Sequence, residues 1–229
     1  MLSLVDLLDT GSVDLPSAAY LAAAMRGGAS LLVGASPGGA GKTAVMCALL
    51  NFLPDRTDIR PVESSAVLAQ GLHDPRPGRA CYLAHEIGTG SWYAYLWGEQ
   101  ARLFFQLAAE GQIVASNLHA DTLQETYAQL CAENGVAPAH LAAVTLKVYL
   151  AVARGRDGSV RRWVRRVYES DGAEDRLLVE WTGEGAWRRE AESRFVSRAQ
   201  EARYATFLSA LRRQGRRTIE KVRRALVTE

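Results

Sequence analysis

The run GASPGGAGKT, Gly34 to Thr43, sets glycines, a lysine and a threonine at a spacing suited to a chain of phosphates. Glycines let backbone N–H groups fold around such an anion, where side chains would block the approach. The Gly41-Lys42-Thr43 ending is that of the Walker A motif. Lys42 is expected to reach the β- and γ-phosphates of ATP, and the Thr43 hydroxyl to bind Mg2+. Ser36, Pro37, Gly38, Gly39, Ala40 and Gly41 complete the cradle, and the helix beginning here points its positive end at the anion. Ser36 stands five residues before Gly41, where Gly or Ala is usual. The bland alternative is a glycine-rich surface turn before an amphipathic helix. That alternative does not account for the Gly-Lys-Thr ending together with the strand before it and the helix after it. A phosphate loop also needs a carboxylate on an adjacent strand, to hold metal or orient a water. Glu86, just beyond the apolar run Ala80 to Ala84, is the candidate; an ordinary acid at a strand end is the alternative.

These residues need strands and helices in a particular order. Ser30 to Val33 is a short apolar run ended by Gly34, as for a buried strand, and Lys42 to Phe52 is a helix stopped by Pro54. Ala80 to Ala84 and Gln112 to Ala115 are further buried strands, with a helix over Trp97 to Ala109 between them. This alternation predicts an α/β fold, a mostly parallel sheet with helices on both faces. Two short helices, Leu4 to Leu8 and Pro16 to Met25, form a lead-in over residues 1–30, and the nucleotide-binding core spans 31–185. From about residue 144 a C-terminal antiparallel β extension is expected in three runs, Thr145 to Val152, Ser159 to Tyr168 and Arg176 to Trp181. Residues 186–229 follow as a basic helical tail, with apolar positions at Phe195, Ala199, Ala202, Leu208 and Leu211.

The chain has 229 residues, 48% hydrophobic and 23% charged, enough to bury a sizeable core. Its apolar stretches fall short of the roughly 20 residues that span a bilayer, and Met1 to Leu8 carries no basic leader, so a soluble chain without a transmembrane segment is expected. Cys47, Cys81 and Cys131, odd in number and widely spaced, read as reduced thiols. The net charge of +2 combines +7 over Ala186 to Glu229 with −5 over the rest.

Beyond the loop, the order of motifs resembles the type II/IV secretion-system ATPases, especially the traffic ATPases of type IV secretion and tight-adherence pili. Leu7 to Met25 looks like the family's helical lead-in. Arg60-Pro61-Val62-Glu63 sits where the family has its acidic box. Tyr82 to Ile87 resembles the Walker B strand, and NLHADTLQE, Asn117 to Glu125, resembles the histidine box. The resemblance implies a RecA-like P-loop ATPase that assembles as a homo-oligomeric ring, usually of six, and serves secretion or pilus machinery. It also implies a cytoplasmic place, extending to the inner face of the membrane. Carried over by position, Glu86 is the Walker B carboxylate that shares the metal with Thr43, Glu63 is the last acid of the acidic box, and His119 senses the γ-phosphate.

Departures accompany these matches. Ile59 and Arg60 replace leading acids of the acidic box, Gly88 replaces an arginine, and Asp121 and Thr122 replace the usual Asn and Ser. About thirty residues precede the loop, so the family's N-terminal domain is not expected. Two readings follow: an enzyme hydrolysing ATP with Mg2+, or a degenerate nucleotide-binding module acting as a switch or assembly partner with little turnover. No base-reading motif ranks ATP over GTP. The arginine cluster from Arg212 to Arg224 is read as the solvated face of a helix packed through Phe195, Phe207, Leu208 and Leu211; the alternative is a nucleic-acid-binding tail. The aromatic stretch Trp92 to Trp97 is assigned to packing, with no function.

Overall fold

The chain's apolar runs are arranged in order along one twisted sheet, seen in a computed structural model that describes residues 1–228 except 37, 75, 91, 92 and 184. Helices α1 (Leu4–Asp9) and α2 (Leu15–Arg26) lead to strand β1 (Leu31–Gly34), helix α3 (Lys42–Leu50), β2 (Asp58–Pro61) and α4 (Ser65–Leu72). Then come β3 (Ala80–Ile87), β4 (Tyr95–Leu96), α5 (Glu99–Ala109), β5 (Ile113–Leu118) and α6 (Leu123–Tyr127), which runs on into a π-helical turn, Ala128–Glu133. The remainder is α7 (Pro138–Ala142), β6 (Leu146–Arg154), β7 (Val160–Ser170), β8 (Asp175–Trp181), β9 (Trp187–Arg189), α8 (Arg198–Arg213) and α9 (Ile219–Val227).

The strand order is β2-β3-β5-β1-β6-β7-β8-β9, with β4 beside the end of β3. Pairing is parallel from β2 to β6 and antiparallel from there on. This is the expected mostly parallel sheet with an antiparallel extension. Side chains alternate across it: Leu31 and Val33 face a core shared with α1, α2, α3, α8 and α9, while Leu32 faces one shared with α4, α5 and α7. Ser3 and Asp6 form a capping box on α1, and Asp14 caps α2 with Pro16 in its first turn.

Three expectations need correction. The segment after Gly185 is not helical at once: Trp187–Arg189 pairs with β8, and the Trp187 indole donates to the Val164 carbonyl at 2.6 Å. A fourth antiparallel strand therefore joins the three expected. Helix α8 starts only at Arg198, where Ser197 and Gln200 close a capping box. Its buried stripe is Tyr204, Phe207, Leu208 and Leu211; Ala199 and Ala202 are exposed, and Phe195, outside the helix, is 42% exposed beside Gly27. The spacing of 3, 4 and 7 from Tyr204 matches one face of a helix, which the expected positions do not.

The outer strands are short. Strand β2 carries Asp58, Arg60 and Pro61 and is largely exposed, and β9 has three residues. No helix among the described residues is long and apolar enough to cross a membrane. The cysteines are free thiols.

Candidate phosphate-loop site

At Gly34 the chain leaves β1 through a space that admits only glycine. A Cβ there would lie 2.6 Å from the Ala120 carbonyl oxygen and 2.8 Å from the Tyr149 ring. The next amides are anchored: Ala35 N–H donates to the Leu118 carbonyl at 3.2 Å, and Ser36 N–H to the Asp121 carboxylate at 2.8 Å. Around Gly38 and Gly39 a Cβ would meet nothing within 4 Å, so the loop faces an open space. Gly39 and Gly41 hold φ of 76° and 95°, a left-handed conformation that glycine adopts without strain. Gly41 begins α3 with no side-chain cap, leaving first-turn N–H groups for an anion. Arg162, reaching from β7, donates Nε–H to the Gly39 carbonyl at 2.7 Å and fixes the loop from outside. Pro37 lies outside the described residues.

Lys42 and Glu86 meet here: Nζ and Oε1 are 2.8 Å apart. Lys42 also donates to the Ala35 carbonyl at 3.0 Å and lies 3.4 Å from His119 Nδ1. His119 Nε2 is 3.0 Å from the same Glu86 oxygen, and the Tyr95 hydroxyl donates to the other at 2.8 Å. Burial alone would raise the Glu86 carboxyl. The hydrogen bonds from Lys42 and Tyr95, with the charge of Lys42 and His119, outweigh it and hold the group below its usual value of 4.5. Glu86 is therefore an ionised, nearly buried acid.

Strand order corrects one expectation. Glu86 is not on the strand next to the loop strand: β5 lies between β1 and β3. Asn117 on β5 is paired with Val33 on one side and Glu86 on the other. Its Nδ2 donates to the His85 carbonyl at 2.9 Å and stands 3.4 Å from Thr43 Oγ1. An irregularity in the β3–β5 pairing between Leu83 and Glu86 accompanies this arrangement.

Glu63 stands apart from the cluster. Beyond Pro61 the chain turns at the sheet margin, and the exposed Glu63 carboxylate accepts the Tyr93 hydroxyl instead. Ser36, Lys42, Glu86 and His119 are thus joined by contacts, Thr43 adjoins them through Asn117, and Glu63 does not touch them among the described residues. Tyr93 and Tyr95 come from the aromatic stretch that the sequence assigns only to packing. Asn117, Asp121, Tyr95 and Arg162 are the contacts that sequence reasoning missed; Asn117 and Asp121 fall inside the NLHADTLQE run, and nothing in the sequence points to Arg162.

The donors suit a hard cation. Thr43 offers a hydroxyl, Glu86 a carboxylate, and the buried Asn117 Oδ1 has no hydrogen-bond partner among the described residues. Among the described residues no group of three or more His, Cys, Asp or Glu could hold a metal ion.

No family model matches the chain, and no curated protein matches it. Among solved structures it is similar to the VirB11 ATPase of the Brucella suis type IV secretion system in complex with sulphate, at 20% identity and TM-score 0.45, covering 68% of this chain and 50% of that one. It is also similar to the ATPase DotB of Yersinia pseudotuberculosis (11% identity, TM-score 0.49, 91% of this chain, 55% of that one). A third similarity is to the ATPase DotB of Legionella pneumophila (11% identity, TM-score 0.43, 83% of this chain, 54% of that one). The chain spans about half the length of these structures.

Proposed function

We propose that the chain binds ATP at the loop from Ser36 to Thr43 and hydrolyses it with Glu86. The observation that carries this reading is the meeting of Lys42 and an ionised Glu86 at the mouth of an uncapped glycine loop, across an intervening strand. In that reading the loop amides and Lys42 hold the phosphate chain, and Lys42 exchanges its contact with Glu86 for phosphate oxygens. Relieved of that partner, Glu86 orients a water and accepts its proton. His119, in reach of both Lys42 and Glu86, reports to the carboxylate whether a terminal phosphate is present. Mg2+, held by Thr43 and Glu86 with phosphate oxygens, would supply charge neutralisation at the phosphates. Part of the reading rests on the sequence resemblance: a homo-oligomeric ring, a role in secretion or pilus assembly, and a cytoplasmic place.

Glu63 favours a second reading. Its position away from the cluster leaves one expected acid unused, which suits a nucleotide-binding module with little turnover. Calorimetry with ATP and Mg2+, paired with phosphate release at rising protein concentration, separates the two. Binding with release that grows as oligomers form supports the enzyme. Binding without release at any concentration supports the module, and no binding overturns both.

A further inference from the structure

We infer that Tyr95 is a positioning residue for Glu86, holding one carboxylate oxygen so that the other stays aimed at the phosphate loop; the inference rests on the hydrolysis reading above. The two oxygens of Glu86 are used on different sides. Oε1 faces Lys42 Nζ at 2.8 Å and His119 Nε2 at 3.0 Å, toward the loop. Oε2 accepts the Tyr95 hydroxyl at 2.8 Å. Once phosphate oxygens draw Lys42 away, a carboxylate without a second anchor is free to turn about its side-chain bonds. The bond to Tyr95 fixes its plane and leaves an Oε1 lone pair directed at the place of an attacking water. Such control matters because a misplacement of about 1 Å costs on the order of a hundredfold in rate.

The backbone is shaped to deliver this hydroxyl. Strand β4 runs parallel to β3, with Tyr95 opposite Glu86 and Leu96 opposite Ile87. The residue before Tyr95 closes the return: Ala94 has φ of 55°, a left-handed conformation that a residue with a Cβ rarely adopts. Its carbonyl accepts the N–H groups of His85 at 2.8 Å and Glu86 at 3.4 Å. Backbone strain of this kind persists where surrounding contacts impose it, and it gathers at functional sites. Leu96 is buried, and its carbonyl accepts the Gly88 N–H at 3.1 Å. The His85 and Tyr95 rings lie 5.5 Å apart between centroids. Backbone and ring are thus both held, and the hydroxyl meets Glu86. Tyr93, two residues earlier, is 66% exposed and donates to Glu63, so one segment sends one tyrosine outward and the other into the site.

The test is Tyr95→Phe, which keeps the ring and removes the hydroxyl. Phosphate release at saturating ATP should fall about tenfold to a hundredfold, with KM for ATP within about twofold of the parent. In a Glu86→Gln background the same substitution should cost nothing further, because the group it positions is gone. A second readout needs no turnover. In protein isotopically labelled at tyrosine Cζ, Glu86→Gln should shift the nuclear magnetic resonance of Tyr95, and the difference from the parent should persist with a non-hydrolysable ATP analogue and Mg2+ bound. Release by Tyr95→Phe at the parental rate, while Glu86→Gln is impaired, overturns the role and leaves the hydrolysis reading standing. A further loss in the Glu86→Gln background does the same. So does a resonance difference that vanishes with the analogue, since Tyr95 then lets go of the carboxylate; this measurement decides the matter even where Tyr95→Phe does not fold. Parental release by Glu86→Gln, or no release by the parent, removes the hydrolysis reading and the role of Tyr95 with it.

Discussion

Two lysine–carboxylate pairs occupy opposite conditions in this sheet. Lys42 and Glu86 lie 2.8 Å apart with side chains 11% and 8% exposed, while Lys147 and Asp175 lie 2.6 Å apart at 1% and 2%. In the second pair the further partners are internal too: Lys147 donates to the Val144 carbonyl at 2.8 Å, and the Tyr127 hydroxyl donates to Asp175 at 2.9 Å. Burial pulls the Lys147 amine below its usual value, against the attraction of Asp175. In the first pair the lysine shares its acid with a half-exposed histidine at the lip of an open loop. The same chemistry serves two ends. A sealed pair fixes the packing between β6 and β8; a pair at an open mouth can trade one anion for another.

Breaking each pair should separate these roles. The largest effect is expected from Glu86→Gln, which should lower phosphate release roughly 10²- to 10⁴-fold, the contribution of a general base, with ATP affinity within a few-fold of the parent. Release at the parental rate would end the assignment of Glu86. Asp175→Ala should cost about 3 to 5 kcal/mol of stability, because it strands a buried ammonium. Chemical denaturation reads this loss, and Lys147→Met combined with Asp175→Leu should recover part of it. Below its unfolding transition the Asp175 variant should bind ATP as the parent does; a loss would merge the two pairs into one system.

Lys42→Ala removes a charged contact worth about 1.5 to 3 kcal/mol, so ATP affinity should fall about tenfold to a hundredfold in calorimetry. Its stability loss should be less than half that of Asp175→Ala. The smallest effect is a pH dependence. Glu86 has a folded-state value below the 4.5 of the unfolded chain, so its stabilisation is complete above 4.5 and is lost as pH falls through the folded value. The stability gap between parent and Glu86→Gln should close over that window; a gap that widened in acid would reverse the sign assigned here.

The loop was legible from its glycines and its Gly-Lys-Thr ending, and its flanking strand and helix and the strand carrying Glu86 because each is a buried apolar run bounded by glycine or proline. Glu63 was not, because sequence distance to Glu86 does not tell which residues turn outward at a sheet margin. Strands β2 and β4 gave no apolar signal: one is Asp58–Pro61, mostly exposed, and the other has two residues. The partition of the arginine-rich tail was half legible. Ser197 and Gln200 have the spacing of a capping box, which marks the start of α8, whereas the turn into β9 depends on a partner strand and on Val164 as acceptor. Three arginines of the cluster spend their charge within the chain: Arg212 and Arg217 on Asp9, and Arg223 on the carbonyls of Asn51 and Leu53. Such contacts carry no mark in composition.

The margins of the sheet have a consequence for assembly. One border strand ends in a proline, which has no N–H to offer, and bears an aspartate and an arginine paired at 2.9 Å; the other border is three residues long. Short, charged edges of this kind discourage a neighbouring copy from adding a strand. Contacts between copies of this chain are therefore expected to run through side chains and loops, with each molecule keeping its own sheet.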